Sequence, residues 1–189
     1  HLKLIQAATF TPKKGHLVTL EAFRQALADC PGLELCLVGE AHDKHCHQQV
    51  LQFIRAHRLG GQVRVLPPVD HRQMAGLLSG FDAFIHPSCH DAAGDHEATP
   101  VVTLEAQALG LPVLATRHFD LPDQVRHGQS GWLVEENDAG ALAQAIRQFY
   151  AMPTADFSNM RRAARRCVEE NFTVEHSAAA LENIYRELV

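Results

Sequence analysis

Along most of this chain short apolar, β-branched runs alternate with longer stretches of helical periodicity, and each run ends in Gly, Pro or Asp turn chemistry. This alternation constrains the fold more than any other feature, because it predicts βα units and hence a parallel sheet covered by helices on both faces. Strands are predicted over 3–8, 33–38, 63–66, 83–86, 112–116 and 132–134. Helices are predicted over 17–28, 44–57, 71–79, 100–109 and 122–126, with three more in the tail from about 139, 157 and 174. In the tail Leu142, Ala145, Ile146 and Phe149 recur at helical spacing, which predicts an amphipathic helix covering the core. The stretch 150–158, with Pro153, resembles a local break. The expected fold class is α/β, a doubly wound, Rossmann-like sheet of six parallel strands. A length of 189 residues suits one domain, here 1–189 with 139–189 as a helical tail.

Composition excludes several classes of function. Acidic residues outnumber basic ones, 22 to 17, and the net charge is -5, so no general attraction to nucleic acid or anionic lipid is expected. Apolar runs such as 33–38 and 109–115 fall short of the roughly 20 residues that span a bilayer, so a soluble protein without transmembrane segments is expected. Five scattered cysteines with no CxxC pair fit reduced thiols and a cytoplasmic location better than a disulfide framework. The chain opens at His1 with no methionine or leader, which predicts a segment of a longer protein.

In doubly wound sheets ligands sit beyond the carboxyl ends of the strands, which singles out the loops 9–15, 39–43, 67–70, 87–99 and 117–121. The longest, 87–99, carries two Asp, two His and one Glu. After it Thr99 and Pro100 read as N-cap and first residue of a helix, whose first-turn amides at Val101 and Val102 would suit a phosphate. Glu97 and Glu105 bracket that helix start and could accept hydrogen bonds from sugar hydroxyls. Spacing alone equally allows Glu97 as a favourable charge near a helix N-terminus and Glu105 as a solvated helix residue. Lys13 and Lys14, before Gly15, could meet an anion or simply be solvated in a turn. Gly39, at a predicted strand end, could admit a ligand or only a turn. No GxGxxG fingerprint is present, and the cluster His42, His45, Cys46, His47 lacks the second half that a zinc site needs, so neither a cofactor nor a metal is expected.

Taken together these residues resemble the C-terminal domain of the family 4 retaining GT-B glycosyltransferases. The resemblance covers essentially the whole chain. Its motifs are Lys13–Lys14–Gly15, Val38–Gly39, the run from Asp82 to Ser88, Glu97 and Glu105 in an E-x7-E pattern, Ala106, Ala108 and Gly110, Leu111–Pro112–Val113, and Gly128 followed by Ser130 to Val134. The loop His90, Asp91, Ala92, Ala93, Gly94, Asp95, His96 is similar to that of bacterial exopolysaccharide transferases of the family.

The resemblance implies a donor-binding half of a GT-B fold, with the acceptor-binding domain upstream. It implies transfer of a sugar from a UDP- or GDP-sugar to a glycan or lipid-linked acceptor, with retention and usually without a divalent metal. Membrane attachment, if any, would come through the other domain. It gives Lys14 the donor diphosphate, Glu97 the hydroxyls of the transferred sugar and Glu105 the ribose. Gly15, the amides of Ala98, Thr99, Pro100, Val101 and Val102, Gly39, and Leu66 near the base complete the implied donor site, Pro100 contributing only its position because it has no N–H. Four positions depart from the family's pattern. Thr9 replaces an arginine that shares the diphosphate charge, and Ala41, Pro67 and Ala98 stand where glycines are usual. These departures leave open a non-catalytic sugar-nucleotide-binding or scaffold module, and another GT-B enzyme such as an epimerase.

Overall fold

The computed structural model describes residues 1–92 and 94–187. Ala93, within the exopolysaccharide-type loop, and the last two residues of the tail lie outside the described residues. Six strands form one parallel sheet, β1 (Leu2–Ala7), β2 (Leu33–Val38), β3 (Val63–Leu66), β4 (Ala83–His86), β5 (Val113–Thr116) and β6 (Gly131–Val134), in the order β3-β2-β1-β4-β5-β6. The helices are α1 (His16–Leu27), α2 (Lys44–Ala56), α3 (His71–Leu78), α4 (Val101–Ala108), α5 (Leu121–Gln124), α6 (Ala139–Ala151), α7 (Thr154–Asn171) and α8 (Val174–Glu187). The doubly wound sheet expected from the patterning is therefore present, with element boundaries within a few residues of those predicted.

The pleat of the strands explains why both faces are apolar. In β1, Leu2 and Leu4 pack into a core that includes Leu20 and Phe23 of α1, Val50 and Ile54 of α2, and Leu142, Ile146 and Phe149 of α6. Ile5 and Ala7 point the other way, into a second core with Leu78 of α3, Ala106 of α4 and Leu121 of α5. Alternate residues serve opposite faces because the side-chain period of a strand is two. The tail divides into unlike parts. α6 buries the residues whose spacing predicted an amphipathic helix, α7 buries Met160, Ala164 and Cys167, and α8 buries none. The expected break near Pro153 is only two residues long, since α7 begins at Thr154, three residues before the predicted start.

Among the described residues no helix is long and apolar enough to cross a membrane. All five cysteines are buried and free.

Candidate functional site

The strand order reverses between β1 and β4, so the connection leaving β1 and the one leaving β4 part to opposite faces of the sheet. That divergence opens a crevice above their carboxyl ends. The loop after β1 contributes Lys14, and the loop after β4 contributes Glu97, and the two form an ion pair there. Both side chains are largely buried, 14% and 12% exposed.

The position of Lys14 is fixed from beneath. It closes a short 3-10 turn, Pro12–Lys14, and Gly15 follows with φ 64°, a left-handed conformation that suits glycine. A Cβ on Gly15 would lie 2.1 Å from the Pro87 carbonyl oxygen, so this glycine lets the two loops touch. Gln6, buried within β1, donates its side-chain amide to the Lys14 carbonyl at 2.7 Å and accepts from Thr19 at 2.7 Å. The lysine loop is thus anchored to the sheet and to α1.

Glu97 is held just as firmly. Its Oε1 accepts from Lys14, and its Oε2 accepts from Ser88 Oγ at 2.6 Å and His86 Nε2 at 2.7 Å. Burial alone would raise the pKa of this carboxyl, but the bonds and charges of His86, Lys14 and Ser88 outweigh it and hold Glu97 far below the usual carboxylate range. An ionised carboxylate only accepts, so His86 carries its proton on Nε2. Its buried Nδ1 has no hydrogen-bond partner among the described residues, and burial lowers the pKa of the ring despite the neighbouring carboxylate.

The backbone of Glu97 is braced by a second chain of contacts. Its N–H donates to Nε2 of the buried His118 at 3.3 Å, and Nδ1 of the same ring donates to Glu136 at 2.6 Å. Glu136 also accepts from the N–H of His90 at 2.9 Å. Burial opposes ionisation of Glu136, but His118 and His90 prevail and push its pKa down to about 2. His90, His118 and Glu136 lie close enough to hold a metal, with ligand atoms within 4.8 Å of one another. These are not the histidines that the sequence brings together around Cys46. Metal ligation through Nδ1 would displace the proton that His118 donates to Glu136, so the observed arrangement reads as a brace.

His86, Ser88, His118 and Glu136 were not among the residues expected to form the site. The signal that locates them is position, since His86 ends β4, Ser88 follows it, and His118 and Glu136 sit in the loops after β5 and β6. All four occupy carboxyl ends of strands.

Several expectations need correction. Thr99 is not the N-cap of α4. Pro100 occupies that place with extended backbone, and the Thr99 hydroxyl instead donates to Asp120 in the loop after β5. The helix end keeps its open amides nonetheless, since Val101 and Val102 make no backbone hydrogen bond through their N–H among the described residues. Ala98 beside them is exposed. Gly39 admits backbone, because its Cβ would fall 1.9 Å from the Ala8 carbonyl oxygen.

The other residues expected at a donor site do not join the Lys14–Glu97 pair. Gly39 and Leu66 share a cavity of about 370 Å³ with Ala41, His47, Pro67 and Pro68. Glu105 lines a separate groove of about 260 Å³ between α3 and α4, walled by Met74, Leu78 and Leu109, with His71 at 3.7 Å. Lys13, which could replace the missing arginine, pairs with the exposed Asp95 at 2.9 Å and donates to the His96 carbonyl at 3.3 Å. Thr9 is exposed.

Comparison with known proteins now bears on this geometry. The family model for glycosyl transferases group 1 matches residues 2–167. A putative colanic acid biosynthesis glycosyltransferase, WcaL of Escherichia coli, is 33% identical over 171 residues, covering 90% of this chain and 41% of its own length. The amylovoran biosynthesis glycosyltransferase AmsK of Erwinia amylovora is 32% identical over 187 residues, covering 99% of this chain and 45% of its own. The chain therefore spans less than half the length of these relatives. Among solved structures, a glycosyltransferase from Rickettsia africae superimposes with a TM-score of 0.85 at 25% identity, over 98% of this chain and 47% of the other. HepE of Anabaena, solved with UDP and glucose, matches at 0.82 and 21% identity, over 98% and 48%. The resemblance to exopolysaccharide transferases is confirmed by these relatives, and the chain belongs to the glycosyl transferases group 1 family.

Proposed function

We propose that this chain binds the nucleoside diphosphate of a sugar donor across the crevice between β1 and β4, and that the longer protein transfers the sugar to a glycan or lipid-linked acceptor. The observation that carries this reading is the Lys14–Glu97 pair, fixed by backbone and side-chain bonds at the point where the strand order reverses. Doubly wound sheets place their ligands at such points.

Each group has a definite part. Glu97 is ionised and accepts three hydrogen bonds from the protein, so it cannot act as a general acid. A carboxylate has about four acceptor sites, which leaves one for a hydroxyl of the transferred sugar. Lys14 and the amides at Val101 and Val102 supply positive potential for the leaving diphosphate, and charge stabilisation of this kind is the chief catalytic contribution expected from this half. Glu105, in its groove beside α3, takes the ribose hydroxyls, and the Gly39 and Leu66 cavity receives the base. Retention of configuration, turnover without a divalent metal, an acceptor domain upstream and a cytoplasmic location complete the reading by family. UDP-sugars are the first donors to try, because HepE was solved with UDP; GDP-sugars remain the second choice.

The exposed Thr9 favours one competing reading, a module that binds the donor without turning it over. Release of nucleoside diphosphate from a panel of sugar donors by the full-length protein separates the two. Release from at least one donor supports the transferase, and no release from any donor, with or without acceptor, overturns it.

A further inference from the structure

β6 is an edge strand of the sheet, and its largest side chain, Trp132, lies between two cavities. At the amino end of the strand a cavity of about 500 Å³ is walled by the turn at Gly128 and Gln129 and by α7. At the carboxyl end a cavity of about 380 Å³ is walled by Arg117, Glu135 and one face of α6. Trp132 lines both, so the two meet at its ring. Each is roomier than the groove of about 260 Å³ beside Glu105, and neither contains a residue that the donor reading uses. Their path nevertheless ends beside the donor crevice. Arg117 and Glu135 immediately precede His118 and Glu136, the residues that brace Glu97.

The lining combines one flat apolar ring with planar polar groups. Trp132 packs edge-on against Phe149 at 5.3 Å and lies against His127 at 5.8 Å. It stays partly exposed, and its indole N–H has no hydrogen-bond partner among the described residues. Exposed amide side chains flank it, Gln129 and Asn159 on one side and Gln144 and Gln148 on the other. Asn159 accepts from Arg162 at 2.6 Å, which leaves its own NH₂ to donate. Formal charges cancel in both halves. Arg166 is matched by Asp156 in the first cavity, and Arg117 pairs with Glu135 at 3.5 Å in the second.

This chemistry discriminates among occupants. With no net positive charge the groove offers nucleic acid phosphates no attraction. An apolar chain would leave the amides desolvated and unpaired. An edge strand invites a peptide to add by backbone pairing, but this edge is already taken. The Gly131 carbonyl accepts from the Gly128 N–H at 2.8 Å, and the Leu133 N–H donates to His127 Nδ1 at 3.1 Å. A sugar chain meets every requirement. Its hydroxyls donate and accept together, as amide side chains do, and the C–H face of a pyranose covers an indole ring.

We propose that the groove along β6 binds a segment of a neutral glycan chain, with one sugar ring on Trp132 and its neighbours on the flanking amides. This is a second carbohydrate site, which holds a chain close to the rim of the donor crevice. It stands whether or not the crevice binds a nucleotide, since it uses none of the same residues.

Trp132 is the single tryptophan of the chain, so its emission and its indole N–H resonance report on this site directly. The test is a titration of the chain with neutral hexasaccharides of glucose, galactose and mannose, with the free monosaccharides and with a galacturonate hexasaccharide, each with and without saturating UDP. A saturable change at Trp132 is expected from at least one neutral hexasaccharide and should persist under UDP. The matching monosaccharide should bind roughly tenfold more weakly, because it fills only part of the groove. Asn159→Ala and Gln148→Ala alter exposed side chains, so each should keep the denaturation midpoint and weaken hexasaccharide binding roughly threefold to tenfold. The proposal is overturned if no neutral hexasaccharide saturates, if both variants bind as the parent does, or if the galacturonate chain binds more tightly than every neutral one. Loss of the response under UDP would place the sugar in the donor crevice and overturn it equally.

Discussion

Glu97 precedes α4 and Glu105 lies within it, yet the protein treats them in opposite ways. Glu97 is 12% exposed and accepts from Lys14, Ser88 and His86, with its own backbone N–H donating to His118. Glu105 is 31% exposed, faces an apolar groove, and among the described residues pairs only with a solvent-facing His71 at 3.7 Å. The first carboxylate is built into the fold before any ligand arrives. The second is delivered to a groove and left available. Preorganised groups contribute to stability as well as to binding, whereas an available group contributes mainly to binding.

The largest effect should follow from breaking the preorganised pair. Lys14→Ala leaves Glu97 largely buried and short of its cationic partner, which should cost about 2 to 3 kcal/mol, less than a wholly buried pair because some water still reaches both groups. Urea denaturation should show this loss, and calorimetric titration should show UDP binding falling below detection. A Lys14→Ala protein as stable as the parent would mean that the pair is not structural.

Glu105→Ala should behave the other way. Loss of a charge-assisted bond to ribose should weaken UDP binding by about 1.5 kcal/mol, on the order of tenfold. The denaturation midpoint should barely move, as for surface changes generally. A variant that binds UDP normally removes Glu105 from the donor site and leaves the crevice reading intact.

The contrast extends to pH. His16 and His86 both have folded pKa values below the ordinary 6.5, His16 at about 3, chiefly through burial. The unfolded chain therefore takes up protons that the folded chain refuses, and stability falls as pH drops below 6.5. Each fully buried ring contributes at most about 1.4 kcal/mol per pH unit. Glu97 and Glu136 have depressed pKa values, so the stability they add is present above about 4.5 and is lost as pH falls further, for Glu136 towards about 2. Urea midpoints should hold level above pH 7 and decline from pH 6.5 downward. The slope just below pH 6.5 should flatten in His16→Leu and stay unchanged in Glu105→Ala. Equal slopes in all three proteins would place the titrating groups elsewhere.

How much of this was readable beforehand follows the same division. The sheet was legible because its strands are apolar on both faces and end in turn residues, so β2, β3 and β4 have the ends their sequence suggests. Lys14 and Glu97 were legible as residue types in loops at strand ends. Their pairing was not, because 83 residues separate them and only the strand order brings β1 beside β4. Glu136 was hidden for the same reason, and His118, although it lies in the singled-out loop 117–121, carries no local sign that it would brace Glu97. Thr99 misled because Thr followed by Pro is a strong local helix start, and here a tertiary partner, Asp120, takes the hydroxyl instead.

The smallest effect concerns the missing arginine. Lys13 is the cation nearest in the chain to Thr9, and its partners are an exposed Asp95 and the His96 carbonyl. A surface pair of this kind contributes about 0 to 1 kcal/mol, so a diphosphate could draw Lys13 away at little cost. Lys14, bound to Glu97 in the crevice, is harder to release. If Lys13 stands in for the arginine, Lys13→Ala should leave the denaturation midpoint unchanged and weaken UDP binding roughly threefold to tenfold, with the salt dependence of binding reduced as well. Adding Thr9→Arg to that variant should restore the affinity, because the new guanidinium would enter where the family carries one. If Lys13→Ala binds UDP as the parent does, the diphosphate relies on Lys14 and helix amides alone, and the crevice must then open its own ion pair to receive the donor.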